Sequence, residues 1–152
     1  MNTRSRPASP DAPLPARIAR AAAAGLLPMA AFIATYLAAP VLYAVVGLGE
    51  PAMMALLVAL PGAVSWASLH LFRVRPAWPV AIIGALFVVA LLGPAYVVAV
   101  LLSERLSFFA WGVFLLVGVI AYAAAALVAS ARSRVVRAVV PLALLAVVYW
   151  LT

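Results

Sequence analysis

Few residues in this chain could do chemistry, and they fall into three small groups. The first is Ser65, Ser68 and His70, two hydroxyls and the single histidine, close together at one end of an apolar run. A serine activated by a histidine is the simplest hydroxyl nucleophile of acyl-transfer chemistry. On a helix, Ser68 and His70 are two residues apart and point to different sides, while Ser65 is five from His70. No glycine-framed nucleophile motif surrounds either serine, which leaves only a dyad assembled between different helices. The competing reading makes His70 an interfacial side chain beside Arg73 and Arg75. The serines then bond backbone carbonyls or neighbouring helices.

The second group is Glu50, Glu104 and Arg105, a charge set placed at two turns on one side of the chain's path. If the two helical hairpins pack together, Glu50 could pair with Arg105, or the two acids could hold a cation. As solvated turn residues they would contribute little, because exposed ion pairs are weak.

The third group is Pro40, Pro61 and Pro94. Pro40 and Pro94 each lie ten residues before an acid, Glu50 and Glu104, and Pro61 lies eleven after Glu50. At about 1.5 Å per residue this places all three about 15–16 Å deep, near the middle of a bilayer. Each proline frees the carbonyl four residues earlier, at Tyr36, Leu57 and Ala90. Gly62 and Gly93 adjoin two of them. Converging kinks would frame a midplane cavity of the kind transporters use, whereas kinks alone are ordinary in membrane helices.

The rest of the catalytic repertoire is missing. One histidine, no cysteine and three acids leave no HExxH zinc site, no His–Cys cluster and no intact Ser–His–Asp triad inside a membrane. No catalytic, cofactor-binding or metal-ligating set is expected, and no cofactor. Without cysteine there are no disulfides either, and the redox compartment cannot be read from the chain.

The elements that carry these residues are set by where charge falls. Uncharged stretches run over Ala21–Gly49, Pro51–Phe72, Pro76–Ser103, Leu106–Ala131 and Ala138–Thr152. A helix needs about 20 apolar residues to cross about 30 Å of hydrocarbon. Four stretches reach that length, and the fifth does so once Val135 and Val136 are added, with Arg137 snorkelling to the surface. The fold class expected is therefore an all-α polytopic membrane bundle, with spans over about 21–48, 51–72, 77–102, 107–130 and 135–151. A last helix lying flat in the interface is the alternative, but it would need a polar face that 135–145 lacks.

Composition agrees. Hydrophobic residues make up 70% of the chain, charged residues 9%, and the mean hydropathy is +1.26. That leaves too little polar surface to cover a soluble globule. A net charge of +7 would raise the question of nucleic acid in a soluble domain. Here the arginines sit at helix ends, where positive charge governs insertion and meets anionic headgroups, so no nucleic-acid partner is expected. All ten basic residues are arginine, and Ala, Val and Leu dominate the apolar positions. That bias points to a GC-rich bacterial genome and so to a bacterial cytoplasmic membrane.

Threading the spans places Arg4, Arg6, Arg17, Arg20, Arg73, Arg75, Arg132, Arg134 and Arg137 on one side, with Arg105 alone opposite. By the positive-inside rule the N-terminus is cytoplasmic and, with five spans, the C-terminus is outside. Trp78, Trp111 and the Tyr149–Trp150 pair fall near the ends of their spans, where amphipathic rings sit at headgroup level. Pro7, Pro10, Pro13 and Pro15 oppose a regular helix, so residues 1–15 read as a disordered cytoplasmic tail and 16–152 as one transmembrane domain. Pro15 also suits the first turn of a helix. The first charge-free run is too long for the apolar core of a secretory signal and reads as a retained span.

Two patterns bear on assembly. Ala30, Ala34 and Ala38, and likewise Ala121, Ala125 and Ala129, recur every four residues, a spacing that lets helix backbones approach or a partner dock. Phe32–Arg75 also lies loosely over Phe87–Arg134, with Arg73-Val74-Arg75 matching Arg132-Ser133-Arg134. Two parallel hairpins would fit a duplication, although topology alone demands arginines at those helix ends.

No Asp, Glu, Lys or Arg lies near the middle of any span, which opposes a proton-coupled transporter. The leading expectation is a non-enzymatic accessory subunit or interaction scaffold that partners the lipid bilayer, another membrane subunit or a second copy of itself. A small transporter or channel for a neutral or apolar solute, using the proline-kinked midplane, is the alternative, and an intramembrane enzyme comes third.

Overall fold

The computed structural model describes residues 13–103, 107–131 and 133–151. Glu104, Arg105, Arg132 and residues 1–12 of the expected 1–15 tail lie outside the described residues, while Leu14 and Pro15 of that tail are already helical. Five helices follow one another: α1 (Leu14–Val41), α2 (Glu50–Leu71), α3 (Ala77–Ser103), α4 (Ser107–Ser130) and α5 (Arg134–Leu151). No strand occurs among the described residues. Leu14–Val46, Glu50–Leu71, Ala77–Leu101 and Trp111–Ser130 are each long and apolar enough to cross a membrane. The protein is thus all-helical and membrane-embedded. Helix α5, with 18 residues, is about 27 Å long.

Helix boundaries have local causes. Pro15 lies in the first turn of α1, where its missing donor costs nothing. The Arg17 N–H donates back to the Pro13 carbonyl at 3.1 Å, so the helix begins slightly earlier than the prolines alone suggest. Near the other end, Pro40 breaks the hydrogen-bond ladder and the chain widens into a π-helical turn over Leu42–Val46. Gly47, at φ +68°, ends it in the left-handed conformation that glycine tolerates. Glu50 opens α2, where a carboxylate complements the helix dipole.

The end of α2 is a Schellman turn. The Val74 N–H donates to the Leu69 carbonyl at 2.9 Å, and the Arg73 N–H to the His70 carbonyl at 3.0 Å. Leu69 and Val74 bury together in the core, the apolar contact that often accompanies this motif. The left-handed position is held by Arg73, at φ +53°, rather than by glycine.

Helix α4 is the centre of the bundle. It packs along α3 on one side and α1 on the other; α2 lies against α1 with a lighter contact to α3, and α5 touches mainly α3. The core gathers at the arginine-rich end: Ala21 and Ala24 of α1, Leu69 and Val74, Val80 and Ile83 of α3, and Ala121, Tyr122, Ala125, Ala126 and Ala129 of α4. Alanines dominate because helices in lipid associate by close backbone approach rather than by hiding apolar surface from water.

The closest approach is at Gly25 and Gly118. A Cβ on either residue would collide with the backbone of the other. Gly84 of α3 plays the same part beneath the Tyr122 ring, whose Cε1 would lie 2.9 Å from a Cβ there. Of the two alanine stripes, Ala121, Ala125 and Ala129 are buried as a seam of α4. Ala30 and Ala34 of α1 are exposed, and α1 instead buries Ala21, Ala24, Gly25, Pro28 and Met29. Both α1 faces carry small residues, and the one opposite Gly118 is the one that can close.

Candidate functional site

The polar residues near the end of α2 divide between two environments. Ser65 and Ser68 face the interior and are buried, while His70 is exposed. The Ser65 hydroxyl shares a short hydrogen bond with the Tyr122 hydroxyl of α4, and the Ser68 hydroxyl donates to the Ser65 carbonyl at 2.9 Å. His70 instead meets the Trp66 ring edge-on, with centroids 4.3 Å apart, one turn back along the same helix. The serine–tyrosine pair ties α2 to the central helix, although these two helices are not major packing partners.

His70 borders a cavity of about 740 Å³ where the start of α1, the end of α2 and the start of α3 converge. Arg17 and Arg20 reach it from α1, Arg73 and Arg75 from the turn, and Trp66 and Trp78 from α2 and α3. Arg17 braces this turn: its Nη2 donates to the Arg75 carbonyl at 2.7 Å.

A second cavity, of about 500 Å³, opens in the other half of the bundle between α1, α3 and α4. Its wall is aromatic and apolar: Phe32 and Tyr36 of α1, Leu92, Gly93 and Tyr96 of α3, and Trp111 and Phe114 of α4. Tyr36 and Trp111 have ring centroids 6.2 Å apart, and Trp111 and Phe114 6.1 Å. Trp111 therefore packs within the bundle as well as lying near a span end. Trp78, 68% exposed, remains available to the surroundings.

Among the prolines, Pro40 and Pro94 are exposed and Pro61 is partly buried; none of the three lines this cavity. Their effect on it is indirect. Gly93, next to Pro94, and Tyr36, whose carbonyl Pro40 deprives of its helix donor, both lie in the wall. Glu50 stands exposed in the first turn of α2, and its expected companions Glu104 and Arg105 are outside the described residues.

Comparison with known families, curated proteins and solved structures finds no match. The site is therefore read from its own chemistry. That chemistry is of two kinds, an apolar aromatic cavity and a basic one, at opposite ends of the bundle. The residues that sequence reasoning passed over are the glycines. Gly25, Gly84 and Gly118 interrupt helices that alanine would serve better, and such glycines signal a close approach.

Proposed function

We propose that this protein is a non-enzymatic accessory subunit or interaction scaffold of a bacterial cytoplasmic membrane, with its N-terminus cytoplasmic and α5 as a fifth crossing. The observation that carries the reading is Gly62. It sits exposed inside α2, and a Cβ there would meet nothing among the described residues, whose packing does not call for a glycine. A glycine weakens a helix interior relative to alanine. Ala55, Ala59 and Ala63 are exposed near it, alongside the exposed Val58 and Trp66, and small residues of this kind let another membrane helix approach closely. A binding role also accords with the chemistry: the Ser65 hydroxyl is engaged with Tyr122, and His70 faces away from both serines.

The test uses the natural absence of cysteine. Single Ala59→Cys or Gly62→Cys variants, oxidised in native membranes, are expected to form a disulfide-linked dimer if the partner is a second copy. Purification in mild detergent is expected to retain a stoichiometric membrane partner if it is another subunit, and Gly62→Leu to release it. The reading is overturned if no crosslink forms and no partner is retained.

A second reading is favoured by the aromatic cavity, whose volume and wall suit a neutral or apolar solute. In that reading the chain is a small carrier or channel. Solute flux through the purified protein alone would support it.

A further inference from the structure

The arginine-rich end gathers positive charge that no carboxylate among the described residues balances. Arg17, Arg20, Arg73 and Arg75 line one cavity of about 740 Å³, and among the described residues no carboxylate shares it. Glu50, the acid among the described residues, opens α2 at its far end. The guanidinium of Arg17 is incompletely used: Nη2 donates to the Arg75 carbonyl, while Nε is buried without an acceptor. A buried charged donor left unpaired is costly, so the site calls for an anion.

Arg73 adds an independent indication. Its φ of +53° is the left-handed conformation that ends a Schellman turn, a position glycine fills without steric cost. Here an arginine bears that cost and joins the wall of the cavity. A conformational penalty kept at a charged residue is the expected signature of a binding role.

We infer that this cavity binds a phosphate group, carried either by an anionic phospholipid headgroup or by a soluble phosphate. Several guanidinium forks converging from different elements suit a tetrahedral anion with several acceptor oxygens, where a carboxylate would occupy one fork. Trp66 and Trp78, 57% and 68% exposed, stand at the rim. Amphipathic rings at that depth match the zone where glycerol and phosphate lie. Basic pockets between membrane helices are a recurrent form of headgroup site.

The full-length protein in an uncharged detergent is titrated with dihexanoyl phosphatidylglycerol, dihexanoyl phosphatidylcholine and inorganic phosphate. Tryptophan fluorescence and native mass spectrometry read binding. Saturable binding of the glycerol lipid, undisturbed by phosphate, supports a lipid headgroup. Saturation by inorganic phosphate, with displacement of the lipid, supports a soluble source. Arg20→Gln is expected to weaken binding by about tenfold or more. Arg73→Gly is expected to weaken it similarly while leaving the protein at least as heat-stable, which separates loss of the site from loss of fold. The inference is overturned if phosphatidylcholine binds as tightly as phosphatidylglycerol and phosphate does not saturate. It is equally overturned if Arg20→Gln and Arg73→Gly both leave binding unchanged.

Discussion

The two partners of the Ser65–Tyr122 hydrogen bond are not equivalent. Both hydroxyls are buried at the junction of α2 and α4. A serine that loses its partner can turn to the carbonyl one turn back on its own helix, whereas a tyrosine hydroxyl, at the far end of its ring, has no such recourse. Ser65→Ala is therefore expected to cost about 1–2 kcal/mol and Tyr122→Phe less, with a coupling of about 1 kcal/mol in the double-mutant cycle. Unfolding in mixed detergent micelles measures all three, and equal costs without coupling would dismiss the bond as a tie between helices. The sequence identified Ser65 as a residue worth weighing beside His70. Its partner was hidden, because Tyr122 lies in a helix whose residues are apolar all round and nothing in spacing says which helix will face it.

At the scale of elements, the crossing of α1 and α4 decides how tightly the bundle closes. Gly25→Ala places a methyl group against the Gly118 carbonyl and forces the helices apart, at an expected cost of about 2–3 kcal/mol. Gly112→Ala in the same α4 introduces a Cβ that meets nothing among the described residues, and is expected to be neutral or to stabilise by about 1 kcal/mol. Thermal unfolding of the pair checks the contrast; similar losses in both would mean that α4 tolerates no methyl group for some other reason. Helix ends were legible in the sequence: the expected 77–102 and 107–130 correspond to Ala77–Ser103 and Ser107–Ser130. Charge, proline and glycine mark those ends because each acts locally on the backbone or on the membrane interface. Helix faces were not legible. In water a polar face announces which side is exposed, but lipid accepts apolar residues on every side, so the exposed Ala30 and Ala34 resemble the buried Ala21 and Ala24.

For the molecule as a whole, the two halves differ in composition. Small residues form the core near the arginine-rich end, and large aromatics line the cavity in the other. Helix α5 contributes nothing to the main core cluster among the described residues and touches mainly α3. Thr152→Cys, in a chain without native cysteine, is expected to react with an impermeant maleimide added outside intact cells. Reaction only after the membrane is opened would remove the fifth crossing. The central position of α4 also bears on how the protein is made. Ser65 and Tyr122 are 57 residues apart, and at ~5–20 residues per second α2 is synthesised about 3–11 s before its partner exists. Helix α1 waits in the same way for Gly118. Through that interval the first two helices must satisfy their polar groups alone, as the Thr35 hydroxyl does by donating to the Ala31 carbonyl at 2.7 Å. Helix α4 can therefore join α1 and α3 only after both have been made.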